Sequence, residues 1–416
     1  MKSINKVKGF HDLIAEEAER YTYLEQTAKD VFQRYGFREL RIPVLEKTDL
    51  FSRTLGEETD IVQKEMYTFP DRKGRSLTLR PEATAGVVRA YIENRLNTKE
   101  QVSKFFTYGP MFRYERPQKG RLRQFHQINV EVFGPTAPQA DAELILMLYS
   151  YLREIGLKNL DIELNSLGCR NCRPEFEKAL QSYLQTVDPR LFCEDCQRRI
   201  KVNPLRVLDC KQVQCQENLN QAPSLLDFLC PDCREHFDSV LYVLDNCGLN
   251  YRINSRLVRG IDYYQRTTFE IVSSNIGSQS SVAGGGRYDG LVKALGGPDV
   301  PGLGFACGME RLAMLLEPMS DPGYDFYLAV LEKEAADQAQ ILADQLRQLG
   351  HSGHVGFEPK SPKSSLRQAN RLGVKKCLLI GSQEMSQGKV VVKEMSTGRQ
   401  EIVYQEEIST VFEEVR

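Results

Sequence analysis

No apolar stretch of this 416-residue chain approaches the roughly 20 residues needed to cross a bilayer. Its start, MKSINKVKGFHDL, has no apolar run of signal-peptide type. The expectation is a cytosolic protein with no membrane partner. Net charge is also missing: 55 Lys and Arg against 56 Asp and Glu leave −1, so the chain does not coat nucleic acid over its whole surface and any such contact is local. Eleven cysteines are too few for a disulfide scaffold at this length, and in a reducing compartment they are thiols or metal ligands. There is no G-x-x-x-x-G-K-[ST] loop, and no G-x-G-x-x-G that follows a strand and opens a helix. Gly284, Gly285 and Gly286 therefore read as a strand that a substrate approaches closely. His11, His126, His236, His351 and His354 show neither metal nor triad spacing and read as packed or exposed imidazoles. Internal repeats and low-complexity tracts are absent.

The chain is too long for one ordinary core, which predicts two or three domains. Apolar residues at helical spacing (Tyr21, Leu24, Ala28, Val31, Phe32) predict a helix over 16–35, with Gly36 at its C-terminal cap. A strand candidate, 37–44, carries Pro43, which has no N–H for a ladder and suggests an edge or an interface. Further strands are predicted at 76–79, 105–112 and 124–133, the last two paired through a basic loop. This is an α+β pattern with an antiparallel sheet. Between about 168 and 248 helical spacing dominates and most cysteines cluster, as in an insertion. Pro318, Asp321, Pro322 and Gly323 mark a linker. Beyond it, strand 326–331, helix 335–349, a strand, helix 364–372, strand 376–380, two more strands and a closing helix predict a partly parallel sheet.

The segment 105–134, FFTYGPMFRYERPQKGRLRQFHQINVEVFG, carries the most chemistry. Side chains alternate across a strand, so Arg113, Glu115 and Arg121 can share a face with Phe125, Gln127 and Glu131. That face offers positive charge for phosphate and a flat ring for a base, although a solvated basic hairpin has the same composition. In GLGFACGMERLAMLL, Arg311 falls in the first turns of a helix, where the helix dipole does not favour a cation; it serves a ligand or lies on the surface. From Lys360 to Lys376 six cations (Lys360, Lys363, Arg367, Arg371, Lys375, Lys376) occur with no acid. Arg367 and Arg371 share a helix face, either as a phosphate-binding patch or as a solvated one. Eight cysteines fall into four close pairs, Cys169/Cys172, Cys193/Cys196, Cys210/Cys215 and Cys230/Cys233. The first two pairs fit C-x2-C-x15–20-C-x2-C and predict one four-thiolate zinc site, with the other two making a second, away from the chemistry; reduced cysteines also pack as small apolar residues.

Taken together, FRYERPQKGRLRQFHQ, RGIDYY, AGGGRYDGL and GLGFACGMERL resemble the histidyl-tRNA synthetase family of class II aminoacyl-tRNA synthetases, over Lys8 to about Tyr404. Pro43 sits in what resembles the first class motif, FRYERPQKGRLRQFHQ the second and GLGFACGMERL the third. The resemblance implies a six-stranded antiparallel catalytic sheet with flanking helices (1–167 and 249–319), a helical insertion domain (168–248), a C-terminal α/β anticodon-binding domain (324–416), and a homodimer. It implies that Glu82, Thr84 and Gln127 hold the α-amino group of L-histidine, and that Glu131 and Tyr264 read the imidazole beside Tyr263 and Tyr288. Arg113 and Arg259 would grip the α-phosphate and carboxylate, acting with Gln127 as the catalytic set, with Glu115, Arg121, Phe125 and Arg311 around ATP and its Mg2+. Lys360, Lys363, Arg367 and Arg371 would face tRNA(His). Zinc is not implied.

The chemistry such a site must perform needs no enzymic nucleophile, since a substrate carboxylate is already ionised at pH 7. Fixed guanidiniums that place it and neutralise charge suffice. The regulatory subunit of ATP phosphoribosyltransferase, a histidine-binding paralogue, is the alternative; it usually lacks the C-terminal domain. Synthetases for threonine, proline or glycine are a second alternative, against which RGIDYY and AGGGRYDGL argue.

Overall fold

Tyr21, Leu24, Ala28, Val31 and Phe32 are all buried along one side of α1 (Glu16–Arg34), and Gly36 follows with φ 81°, the left-handed conformation that closes a helix without a Cβ penalty. The computed structural model describes residues 3–56, 59–118, 120–261, 263–273, 275, 281–318 and 323–412. Lys119 of the basic loop, Asp262 of RGIDYY, and Met319, Asp321 and Pro322 at the expected linker lie outside them. The chain folds as two units, Met1–Met319 and Ser320–Arg416. Among the described residues no helix is long and apolar enough to cross a membrane.

After α1 the chain forms β1 (Arg38–Glu39), β2 (Leu45–Lys47), α2 (Thr48–Leu55), β3 (Tyr67–Pro70), β4 (Ser76–Leu79) and α3 (Thr84–Glu93). The strand expected over 37–44 is thus only two residues long and ends before Pro43. The carbonyl of Ile42 instead accepts from Arg80 Nη1 (3.0 Å) and that of Val44 from the Arg80 amide (2.9 Å). A long hairpin follows, β5 (Ser103–Phe112) and β6 (Gln124–Phe133), then α4 (Pro138–Glu154) and β7 (Leu160–Ser166). The cysteine-rich stretch supplies α5 (Arg173–Thr186), α6 (Glu194–Val202), α7 (Val213–Glu217) and α8 (Pro231–Asn246). The unit closes with β8 (Arg252–Ile253), β9 (Gln265–Ser273), β10 (Ser281–Arg287), α9 (Leu291–Ala294), β11 (Gly302–Gly308) and α10 (Met309–Leu315).

The main sheet runs β1-β5-β6-β11-β10-β9-β7-β8. Its six central strands are antiparallel, as expected, but a two-residue parallel strand extends each edge, β1 against β5 and β8 against β7. Alternation divides the sheet's chemistry. On β6, Ile128, Val130 and Val132 enter a core with Phe32, Leu148 and Tyr151 of α1 and α4 and Phe237, Val240 and Leu244 of α8, while Phe125, Gln127, Asn129 and Glu131 take the other face. In β11, Leu303, Phe305 and Cys307 join the same core, and Gly302, Gly304, Ala306 and Gly308 alternate with them. One face of the sheet is therefore dense with apolar side chains and the other is hollowed out.

The second unit contains β12 (Phe326–Val330), α11 (Ala336–Gln348), β13 (Gly353–Val355), α12 (Pro362–Arg371), β14 (Lys376–Ile380), α13 (Ser382–Ser386), β15 (Lys389–Glu394) and β16 (Gln400–Tyr404). The order β13-β12-β14-β15-β16 is parallel over its first three strands and antiparallel over the rest. A 3-10 turn, Gln405–Phe412, stands where an α-helix would have closed the unit. Helix α12 starts two residues earlier than expected, because Pro362 suits the first turn and the Ser361 hydroxyl accepts from the Ser364 amide.

Candidate active site

The hollowed face of the main sheet bounds a cavity of about 390 Å³, of a size that takes a small ligand. Glycines make the room. A Cβ at Gly284 would strike the Arg259 guanidinium, one at Gly302 the Tyr288 ring, and one at Gly304 the Glu131 carboxylate. The run AGGGR and the alternate glycines of β11 thus let large polar side chains lie flat on the backbone. Arg287, the charged end of that run, points elsewhere: it is fully buried and paired with Asp141 and Asp289, the latter at 3.2 Å, so it fixes β10 to α4.

At one end of the cavity the side chains are buried and closely linked. Glu82 accepts from the amides of Thr84 (2.7 Å) and Ala85 (2.9 Å), capping α3 with a carboxylate that still lines the cavity. The Thr84 hydroxyl donates to Glu131 (2.6 Å), and the Tyr288 hydroxyl donates to the other Glu131 oxygen. Burial pushes the Glu131 carboxyl up to about 8 although both of these bonds oppose it, and burial likewise raises Glu82. Tyr263, Tyr264 and Tyr288 form an aromatic group with centroids 4.7 to 6.4 Å apart. Tyr263 and Tyr264 line the cavity, and Glu131 and Tyr288 lie in the layer behind them.

The other end is ionic. Arg113 donates through Nε to the Pro81 carbonyl (2.8 Å) and sits 5.3 Å from the Phe125 ring. Glu115 stands between two cations, 3.1 Å from Arg121 and 3.9 Å from Arg113. Arg311 reaches across from α10 to the Ser281 carbonyl. On the wall between the two ends, Arg259 pairs with Glu270 at 3.1 Å. Three buried polar atoms of cavity-lining residues, Gln127 Oε1, Asn129 Nδ2 and Arg259 Nε, have no hydrogen-bond partner among the described residues. Leaving such atoms unpaired costs about 1–3 kcal/mol each. A ligand with its own polar groups relieves that cost.

Glu82, Thr84, Arg113, Glu115, Arg121, Phe125, Gln127, Arg259, Tyr263, Tyr264 and Arg311, singled out in sequence, all line this cavity. Sequence reasoning missed Asn129, Glu270, Asp209 and Lys211, which line it too. Alternation from Gln127 to Glu131 pointed to Asn129; nothing local distinguished the others. Lys360, Lys363, Arg367 and Arg371 belong to the second unit, all exposed on α12 or just before it. Their neighbours Lys375 and Lys376 are held by Asp325 and Glu394, each at 2.9 Å.

The eight cysteines do gather into two groups of four, but not in the expected pairing. Cys169 and Cys172 meet Cys230 and Cys233, while Cys193 and Cys196 meet Cys210 and Cys215, with all ligand atoms of a group within 4.8 Å of one another. The pairs are nested, outer with outer and inner with inner: α5 begins just after Cys172 and the turn Leu225–Phe228 ends just before Cys230, and Phe176 of α5 meets Phe228 edge to face at 5.8 Å, which brings the ends of the stretch together. Sulfur separations are 3.7 and 3.9 Å in the outer group and 3.8 Å in the inner. Four thiolates arranged tetrahedrally about zinc at about 2.3 Å have edges of about 3.8 Å. Amides support the sulfurs, that of Cys230 donating to Cys172 and that of Cys193 to Cys215, both at 3.2 Å. The donor set fits zinc.

Residues 9–312 match the family model described as histidyl-tRNA synthetase, and residues 325–415 that of an anticodon binding domain. The chain is 58% identical over 409 residues to the histidine--tRNA ligase of Maridesulfovibrio salexigens, covering 98% of this chain and 99% of that one. It is 59% identical over 403 residues to the histidine--tRNA ligase of Nitratidesulfovibrio vulgaris, covering 97% of each. Among solved structures, apo S. aureus histidyl-tRNA synthetase superposes with a TM-score of 0.82 at 34% identity, over 99% of this chain and 100% of that one. An ATP phosphoribosyltransferase regulatory subunit/histidyl-tRNA synthetase from Bacillus halodurans C shares the fold, with a TM-score of 0.67 at 18% identity, over 92% of this chain and 98% of that one.

Proposed function

The chain belongs to the histidyl-tRNA synthetase family, and from that premise we propose that it activates L-histidine with ATP and transfers the histidyl group to tRNA(His). The observation that carries this reading is the division of one cavity into a buried carboxylate end and a cationic end, bridged by unpaired atoms of Gln127, Asn129 and Arg259. Histidine lies at the buried end, its α-amino group toward Glu82, Thr84 and Gln127 and its ring toward Glu131 and the tyrosines. ATP lies at the cationic end with its base on Phe125 and its phosphates among Arg113, Arg121 and Arg311. Mg2+ enters with ATP as part of the substrate.

The histidine carboxylate attacks the α-phosphorus, forming a carboxyl–phosphorus anhydride as the bond to the bridging oxygen breaks and pyrophosphate leaves. No general base is required. Arg113 and Arg259 hold attacking carboxylate and α-phosphate together and neutralise the charge that builds between them. A terminal ribose hydroxyl of the RNA then attacks the histidyl carbonyl and AMP departs. Glu131 selects the imidazole: a site built to hydrogen-bond a ring nitrogen leaves groups unpaired when an apolar analogue enters, a discrimination that reaches about 10⁴.

The exposed cations of α12 serve RNA phosphates. Two copies pair through the segment around Pro43, where Val44 and Leu45 are exposed apolar residues. The two thiolate groups hold structural zinc, and the protein works in the cytosol. Histidine-dependent ATP–pyrophosphate exchange by the purified protein tests the reading. Exchange with histidine and not with threonine, proline or glycine is the expected result; histidine binding without exchange would replace it with the regulatory paralogue.

A further inference from the structure

We propose that the inner thiolate centre, Cys193, Cys196, Cys210 and Cys215, is a metal-held support that carries Lys211 to the nucleotide end of the cavity, where Lys211 is an additional phosphate-binding cation. The inference rests on the enzyme and zinc readings above and places this centre beside the chemistry.

Asp209 and Lys211 flank the ligand Cys210, and both line the cavity. A recess next to the cavity shares Arg121, Asp209 and Lys211 with it and is completed by the sulfur-bearing residues Cys193 and Cys210. The inner centre is therefore part of the same wall. Residues 210–212 have no helix or strand of their own, and packing does not fix Lys211, whose side chain is 69% exposed. What fixes this stretch is Cys210 itself, buried against the sulfurs of the group, together with Gln216, whose side chain donates to the Cys210 carbonyl (3.1 Å). Four thiolates without a metal repel one another on ionisation; a bound zinc ion turns that repulsion into the strongest tether available to an irregular loop.

Lys211 points its ammonium at Asp209, 3.1 Å away. In the cavity Glu115 pairs with Arg113 and Arg121, and Glu270 with Arg259, while Arg311 is held by the Ser281 carbonyl, so a triphosphate entering here meets cations that are already partnered. Lys has a flexible stem and a compact charge, which lets Lys211 turn from Asp209 to phosphate without moving the backbone that Cys210 anchors. The outer centre presents no comparable residue: Cys169, Cys172, Cys230 and Cys233 line no part of the cavity.

Elemental analysis of the full-length protein should give two zinc ions per chain, one for each four-cysteine group, and a Cys193→Ser/Cys210→Ser variant should keep one. Calorimetric titration with Mg-ATP should then show Kd raised about tenfold in Lys211→Met, the size of one charged hydrogen bond, with zinc content unchanged and the histidine Kd unmoved. The cysteine variant should show the same rise, and adding Lys211→Met to it should produce no further change, since the lysine is already misplaced. Zinc absent from the wild-type protein overturns the metal support. Full zinc with an unchanged ATP Kd in Lys211→Met, or additive losses in the combined variant, overturns the positioning role. If the cysteine variant does not fold, Lys211→Met and the wild-type zinc content decide the matter. Absence of pyrophosphate exchange bears on the enzyme reading alone, because zinc content and ATP affinity are measured without turnover.

Discussion

The layer behind the buried end of the cavity and the basic face of α12 use ionisable groups in opposite ways. Glu131, only 2% exposed, is placed by its neighbours: Thr84 and Tyr288 donate to its two oxygens, and glycine backbone gives it space. Lys360, Lys363, Arg367 and Arg371 stand exposed in water. In a low-dielectric setting a single ionisable group has large consequences and must be fixed beforehand, whereas exposed charges are each worth little and act by number. Selection of a small amino acid suits the first arrangement and adhesion to an RNA backbone suits the second.

Four measurements test that contrast. Arg259→Ala removes charge stabilisation made in the transition state, so adenylate formation should slow by about 10²–10³-fold while thermal unfolding barely moves; unchanged turnover would strike Arg259 from the catalytic set. Glu131→Ala should raise KM for histidine by about 10–100-fold, the cost of an unpaired buried polar contact, and leave KM for ATP nearly as it was. Equal losses in both would mean that Glu131 is scaffold and not a reader.

The third measurement is of stability. Burial lifts the Glu131 carboxyl from its ordinary 4.5 to about 8, so between these values the folded chain keeps a proton that the unfolded chain releases. The stability this group contributes is complete below about 4.5 and is lost as pH rises through about 8. Urea titrations across that range should fall less steeply for Glu131→Gln, by up to about 1.4 kcal/mol per pH unit; parallel slopes would show Glu131 ionised throughout. The smallest effect belongs to the exposed side: Arg367→Ala should weaken tRNA binding only a few-fold and lower the salt-dependence slope by about 1. A loss insensitive to salt would mean that Arg367 reads a base.

How much of this was legible in sequence follows from which contacts are local. The β5–β6 hairpin puts Arg113, Glu115, Arg121, Phe125 and Gln127 within a few residues of one another, and alternation alone assigns them a face. Alternation also put Glu131 on that face, but its role, like Arg259 and Tyr264 themselves, came from family resemblance, because their meeting depends on strand order. Glu270 on β9 and Lys211 beside Cys210 arrive by tertiary routes that leave no periodic trace. The cysteine pairing failed for a related reason: spacing shows that four sulfurs could meet, and it is the packing of α5 against the turn Leu225–Phe228 that decides which do. The strand at 37–44 shrank to two residues because Arg80 took the carbonyl of Ile42, a competition invisible without the fold.

With zinc bound as proposed, nesting of the cysteine pairs also implies an order of closures during folding. Joining Cys196 to Cys210 closes a short loop, whose entropy cost is small, and it can form from nearby segments before the sheet exists. Joining Cys172 to Cys230 then spans a stretch already shortened by the first closure. The pairing that spacing alone suggested would have strung two closures side by side, each independent of the other. As the chain is built, the inner knot prepares the outer one, so a substitution in Cys196 or Cys210 should delay formation of both.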